Sequence, residues 1–200
     1  MKIAMFGGSF DPIHNDHIKL CETMIESFSL DKVIVFPAAC SPFKKGTVTE
    51  DYHRLNMCRL AFENNNKVEV SDFEIKKGGK SYTVDTLEFL KKEYQGSELY
   101  LITGADAFLT LDSWYHSAEI FKSAHILTVV REDDDIDDLK LKADEYKNYD
   151  AECSLLSIPI GTISSTKVRK ALLMRDDVST FLPDKVTEYI RENRLYGYAD

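Results

Sequence analysis

Ile3-Ala4-Met5-Phe6-Gly7-Gly8-Ser9-Phe10-Asp11-Pro12-Ile13-His14-Asn15-Asp16-His17 opens the chain and decides how the rest is read. Its first four residues are all apolar, the pattern of a short strand covered on both faces. Gly7-Gly8 then predicts a sharp turn in which the backbone approaches a ligand closely. An amphipathic pattern follows, with Asn15 or Asp16 suited to cap a helix. His14 and His17, three apart, fall on one face of the helix start, where backbone N–H groups without helical partners favour bound anions. Strand, glycine turn and basic helix start together describe a phosphate cradle. The same residues also allow a plain tight turn or a histidine metal pair, although no third ligand stands nearby at matching spacing. The stretch contains neither a Gly-x-Gly-x-x-Gly dinucleotide fingerprint nor a P-loop.

Working outward, strand-like and helix-like segments alternate, which predicts an α/β fold. The expected form is a Rossmann-like parallel sheet with helices on both faces. Strands are expected at Ile3–Phe6, Val33–Phe36, Val68–Val70, Leu99–Thr103, Ile126–Val130 and Leu155–Ile158. The first helix is expected over His17–Phe28, with Ile18, Cys21, Ile25 and Phe28 on one stripe. A second begins near Asp51 and carries Leu55, Cys58 and Phe62; a third spans Thr83–Tyr94 around Leu87 and Leu90. A fourth follows Ser164-Ser165 with Val168, Ala171 and Leu172. The last begins near Pro183, a favoured first helical position, and uses Val186, Tyr189 and Ile190. The stretches Pro37–Glu50 and Arg131–Asp150 read as long loops. No repeat or linker divides the chain, so residues 1–200 are read as one domain.

The net charge of −9 argues against a general nucleic-acid binder. Six of the acidic residues, Glu132, Asp133, Asp134, Asp135, Asp137 and Asp138, crowd into one run that reads as a solvated loop. A basic ligand site elsewhere is therefore compatible with an acidic protein. No apolar run approaches membrane-spanning length, and no targeting segment is visible. Cys21, Cys40, Cys58 and Cys153 form no Cys-x-x-Cys pair, as expected of a reducing cytoplasm.

In an open parallel sheet, ligands bind beyond the carboxyl ends of the strands, where strand order reverses. The Gly7–His17 turn, the Pro37–Lys45 loop, Gly104–Asp106 and Ile163-Ser164-Ser165-Thr166-Lys167-Val168-Arg169 are all expected at that edge. The last stretch reads either as a helix cap or as an anion site of hydroxyls, backbone N–H groups and cations. Arg169 supplies a planar fork suited to two phosphate oxygens.

With both stretches in hand, the chain resembles the nucleotidyltransferase family that includes the nicotinate-nucleotide adenylyltransferases. Gly7–His17 is similar to that family's Gly-Gly-x-Phe-Asp-Pro-x-His-x-Gly-His motif, and Ile163–Arg169 to its Ile-Ser-Ser-Thr-x-Ile/Val-Arg motif. Lys80-Ser81-Tyr82-Thr83-Val84-Asp85-Thr86-Leu87, Gly104-Ala105-Asp106, Trp114-Tyr115, Leu182-Pro183-Asp184-Lys185-Val186 and Leu195-Tyr196 resemble further stretches, in family order along nearly all of the chain. The resemblance implies adenylyl transfer from ATP to nicotinate mononucleotide, giving deamido-NAD and pyrophosphate. It implies Mg²⁺ carried on ATP, with no protein residue assigned to the metal.

By the same resemblance, His14, His17, Lys44 and Arg169 stabilise phosphate charge. Gly8, Ser9, Phe10, Ser165 and Thr166 contact ATP, with Phe10 and Phe108 also supporting the site by packing. Tyr82, Thr83, Gly104, Asp106, Trp114 and Tyr115 are assigned to the nicotinate nucleotide, although a helix-cap role for Asp106 and a core role for Trp114 stay open. Two departures stand out: Asp16 replaces the glycine between the histidines, and Ser41-Pro42-Phe43-Lys44 stands for Pro-Pro-His-Lys. A carboxylate at position 16 is expected to crowd the adenylate. A nucleotide-binding protein without catalysis therefore remains an alternative, as does another acceptor, nicotinamide mononucleotide or phosphopantetheine. A homo-oligomer is compatible with the sequence.

Overall fold

Six short strands pair entirely in parallel in the computed structural model, which describes residues 1–40, 49–130, 136–157 and 163–198. They are β1 (Lys2–Gly8), β2 (Lys32–Pro37), β3 (Val68–Val70), β4 (Glu98–Gly104), β5 (His125–Val130) and β6 (Cys153–Ser157). Their order in the sheet is β3-β2-β1-β4-β5-β6. The chain therefore winds outward from β1 in one direction, then returns to β4 and winds in the other. The carboxyl ends of β1 and β4 flank the point of reversal, where such sheets leave a crevice.

Alternation along each strand explains the two cores. Ala4 and Phe6 of β1 face one apolar cluster, whereas Ile3 and Met5 face the other. The first cluster is covered by α1 (Asn15–Ser27), α2 (Asp51–Phe62), α8 (Ser165–Met174) and α9 (Asp184–Glu192). The second is covered by α4 (Thr83–Glu93), α5 (Ala105–Leu109), α6 (Ser117–Ser123) and α7 (Ile136–Tyr146), with α3 (Phe73–Lys77) packing Phe73 against it. Burial on both faces is why the strands read as continuous apolar runs. Among the described residues, no helix is long and apolar enough to cross a membrane.

Several sequence expectations need correction. The stretch read as a loop over 131–150 contains α7, so Asp137 and Asp138 sit in a helical first turn, where negative charge is favourable. The remainder of the acidic run lies outside the described residues. Helix α1 starts at Asn15, and its N-cap is His14 rather than Asn15 or Asp16. Pro183 likewise caps α9 instead of occupying its first turn. The short helices α3, α5 and α6 carry too few turns for a readable apolar period.

Cys21 and Cys58 are buried on the helical stripes, as expected, and burial raises the Cys21 thiol to about 12 and pushes Cys58 upward as well.

Candidate active site

The turn after β1 is built differently from its glycines' apparent promise. Gly7 and Gly8 lie within the strand, and the left-handed residue is Phe10, with φ 46°. A Cβ on Gly8 would sit 2.8 Å from the Phe10 ring, so glycine there makes room for that ring to fold back. Phe10 is only 2% exposed and meets Phe6 and His17 edge-on, at centroid distances of 5.3 and 5.1 Å. Its side chain thus props the histidine from within the core.

Beyond the turn, the His14 backbone N–H donates to His17 Nδ1 at 3.3 Å, and the two imidazoles stack with centroids 3.7 Å apart. His14 is 5% exposed, while His17 is half-buried at the helix start. This closes the first turn of α1 and fixes both rings relative to the backbone N–H groups there.

The second motif docks directly on this turn. Ser164 caps α8, its hydroxyl accepting from the Lys167 N–H at 3.2 Å. That leaves Ser165 free to donate its hydroxyl to the Pro12 carbonyl at 2.9 Å. Arg169 donates through Nη1 to the Asp11 carbonyl at 2.7 Å and through Nη2 to the Thr166 hydroxyl at 3.3 Å. Asp16 completes the junction: its carboxylate accepts from the Ile163 N–H at 3.0 Å. The residue that fits the family motif least well is therefore a strut between the two motifs.

On the other side of β1, a cleft of about 140 Å³ runs between the ends of β1 and β4. Gly8 and Ser9 line one wall, with Thr83, Gly104 and Trp114 opposite. The N-cap of α4 is Tyr82, which provides no side-chain cap, so the first backbone N–H groups of that helix are available to an anion. Tyr82 and Tyr115 pack ring to ring at 4.5 Å, and Tyr115 is 54% exposed. Asp106 is exposed in the first turn of α5, whose N-cap is Gly104; the helix-cap reading of Asp106 is thereby replaced. Lys44 lies outside the described residues.

Two buried charged groups escaped the sequence reading. Arg54 is 0% exposed and donates to the carbonyls of Ser9 and Ala38, both at 2.6 Å. Its position on the Arg54-Cys58-Phe62 stripe of α2, a charge where an apolar side chain belongs, was the available signal. Glu74 is 5% exposed on the cleft wall and accepts from the Thr86 hydroxyl at 2.7 Å. Burial pushes its carboxyl above the usual range, against the opposing pull of hydrogen bonds from Thr86 and Ser81. Nothing in local sequence distinguishes Glu74 from a surface glutamate.

Among the described residues, no three His, Cys, Asp or Glu side chains come together as a metal-holding group.

The family described as Cytidylyltransferase-like matches residues 5–171. A protein of Clostridium tetani (strain Massachusetts / E88), named a probable nicotinate-nucleotide adenylyltransferase, is 32% identical over 197 residues and covers 98% of each chain. A Clostridium botulinum (strain Kyoto / Type A2) protein of the same name is 37% identical over 196 residues, covering 96% of this chain and 98% of its own. Among solved structures, Plasmodium falciparum nicotinic acid mononucleotide adenylyltransferase complexed with NaAD superposes with a TM-score of 0.81 at 23% identity, over 98% of both chains. At that identity the structural likeness concerns the fold.

Proposed function

Since the chain belongs to the cytidylyltransferase-like family, we propose that it transfers the AMP part of ATP to nicotinate mononucleotide, a step of NAD biosynthesis. The products are deamido-NAD and pyrophosphate. A phosphate oxygen of the mononucleotide, already anionic, forms a bond to the α-phosphorus as the bond to the β-phosphate oxygen breaks. Pyrophosphate leaves with that electron pair, so no serine or cysteine nucleophile and no general base is required. The protein's task is to align two repelling phosphates and to neutralise charge as it moves onto the leaving group.

The observation that carries this reading is the docking of Arg169 and Ser165 on the Asp11-Pro12 backbone, which joins the two motifs into one phosphate-facing edge. In the proposal, His14 and His17 meet the ATP phosphates at the start of α1. Arg169, with Lys44, stabilises the leaving pyrophosphate, and Ser165 and Thr166 hold phosphate at the start of α8. Gly8, Ser9 and the Phe10 backbone line the nucleotide. The acceptor occupies the cleft, with Trp114 and Tyr115 against the pyridine ring and Gly104 and Asp106 beside the ribose. The N–H groups at Tyr82-Thr83 receive the ring carboxylate, which favours nicotinate over nicotinamide. Mg²⁺, held on the triphosphate oxygens, supplies further charge neutralisation when bound. The engagement of Asp16 with Ile163 supports catalysis over mere nucleotide binding, because the carboxylate has a partner at the motif junction.

The proposal treats residues 1–200 as a single nucleotidyltransferase domain of the cytoplasm, acting on small molecules and compatible with a homo-oligomer. Purified protein given ATP, Mg²⁺ and each of nicotinate mononucleotide, nicotinamide mononucleotide and phosphopantetheine tests it. Pyrophosphate is expected fastest with the nicotinate nucleotide, in equal amount to deamido-NAD. Faster release with either other acceptor, or none with any, would overturn the assignment.

A further inference from the structure

The Ser9–Pro12 turn is gripped by residues that the proposed chemistry does not use. Arg54 holds it from below, with Nη1 on the Ser9 carbonyl while Nη2 reaches the Ala38 carbonyl at the end of β2. Both of those residues line the cleft. Only a planar fork bonds two carbonyls in one fixed geometry, and a lysine ammonium lacks that constraint. Asp51 accepts from the same Nη2 at 2.5 Å, and the Thr49 carbonyl accepts from Nε at 3.3 Å. The guanidinium is thus committed to the protein on every side.

A second grip comes from the C-terminal end of the chain, through Tyr196. Tyr196 donates to Asp11 Oδ1 at 2.7 Å, across 185 positions of sequence. It does so from a left-handed backbone, φ 58°, which side chains other than glycine rarely adopt. The following residue, Gly197, lies close enough to Leu173 of α8 that a Cβ would come within 2.9 Å of Leu173 Cδ1. Asp11 is therefore held through its carboxylate by Tyr196 and through its carbonyl by Arg169.

We propose that Arg54 and Tyr196 form a clamp that fixes the Ser9–Asp11 backbone in the shape that receives ATP, both as positioning residues of the triphosphate half of the site. The clamp rests on the reading of this turn as the phosphate site. Its hydrogen bonds reach the turn at Ser9 and Asp11 and the end of β2 at Ala38. Asp11 is not among the residues lining the cleft, so loss of the Tyr196 grip should weaken ATP and spare the acceptor.

The test compares Arg54→Lys, Tyr196→Phe and His17→Ala with the parent chain, by calorimetric titration of ATP and of nicotinate mononucleotide separately, with Tm recorded for each. Tyr196→Phe removes one hydroxyl and keeps the ring, so it guards against an unfolded Arg54 variant. The expected result is an ATP Kd raised about tenfold in Tyr196→Phe and more in Arg54→Lys, with the mononucleotide Kd of Tyr196→Phe within about twofold of the parent. Unchanged ATP affinity in Tyr196→Phe, while His17→Ala loses it, overturns the clamp alone. Equal loss of both ligands alongside a fallen Tm would also overturn it, as the mark of a merely structural role. Unchanged ATP affinity in His17→Ala would overturn the phosphate-site reading beneath it.

Discussion

The two walls of the crevice are built on different principles. The β1 side is fastened by hydrogen bonds across long stretches of sequence: Ser165 to Pro12, Arg169 and Tyr196 to Asp11, Ile163 to Asp16 and Arg54 to Ser9. The β4 side is made of short neighbouring elements, the starts of α4 and α5 and the Trp114-Tyr115 step, with the exposed Tyr115 ring resting on the half-buried Tyr82. The proposed phosphoryl chemistry accounts for the contrast. Charge developing on a leaving group is stabilised only by dipoles and cations that are already in place, so the phosphate wall must be rigid. A planar pyridine ring needs an apolar surface and one anion contact, and it tolerates an adaptable wall.

The contrast can be broken most severely on the rigid side. His17→Ala or Arg169→Ala should lower kcat by about 10²–10³-fold with the fold intact, as judged by circular dichroism and Tm. Near-parent turnover in either variant would remove the distinction between the walls. On the adaptable side, Trp114→Ala should raise the KM for nicotinate mononucleotide about tenfold with little change for ATP, a loss of ring stacking rather than of charge stabilisation.

The strut at Asp16 sharpens the comparison through stability. Asp16→Gly removes a charge-assisted hydrogen bond to Ile163 and places glycine in the first turn of α1, so it should cost about 1–3 kcal/mol in denaturant unfolding. An Asp16→Gly protein as stable as the parent would show that the motif junction does not depend on this bond.

Glu74 gives the smallest effect and a pH signature. Its carboxyl binds a proton more tightly folded than unfolded, because burial disfavours the charge. The stability associated with that proton is present in acid and lost as pH rises through the raised value. Glu74→Gln keeps an acceptor for Thr86 without the buried charge. It should match the parent in acid and exceed it in Tm at neutral pH; a gap that is constant across this range would contradict the buried-charge account.

Much of this was legible in the sequence. The apolar runs located all six strands because both faces of the sheet are covered, and the two motifs pointed to one edge because every strand is parallel. Local reading failed where the cause was not local. Gly7-Gly8 looked like the turn itself, but the turn's strained residue is Phe10, and Gly8 is small because the Phe10 ring returns over it. Asp16 looked like an obstacle because its partner, Ile163, lies 147 positions away. The helix α7 was hidden by the acidic residues at its start, and Tyr196 stood out only by resemblance, since no local pattern shows that it reaches Asp11.

The most direct test of the division between the walls is a paired titration of Arg169→Ala and Trp114→Ala, with ATP and nicotinate mononucleotide measured separately by calorimetry. Two separable walls predict that Arg169→Ala loses ATP affinity and keeps the mononucleotide, while Trp114→Ala does the reverse. If either folded variant loses both ligands to the same degree, the phosphate clamp and the acceptor cleft are not distinct parts of the site.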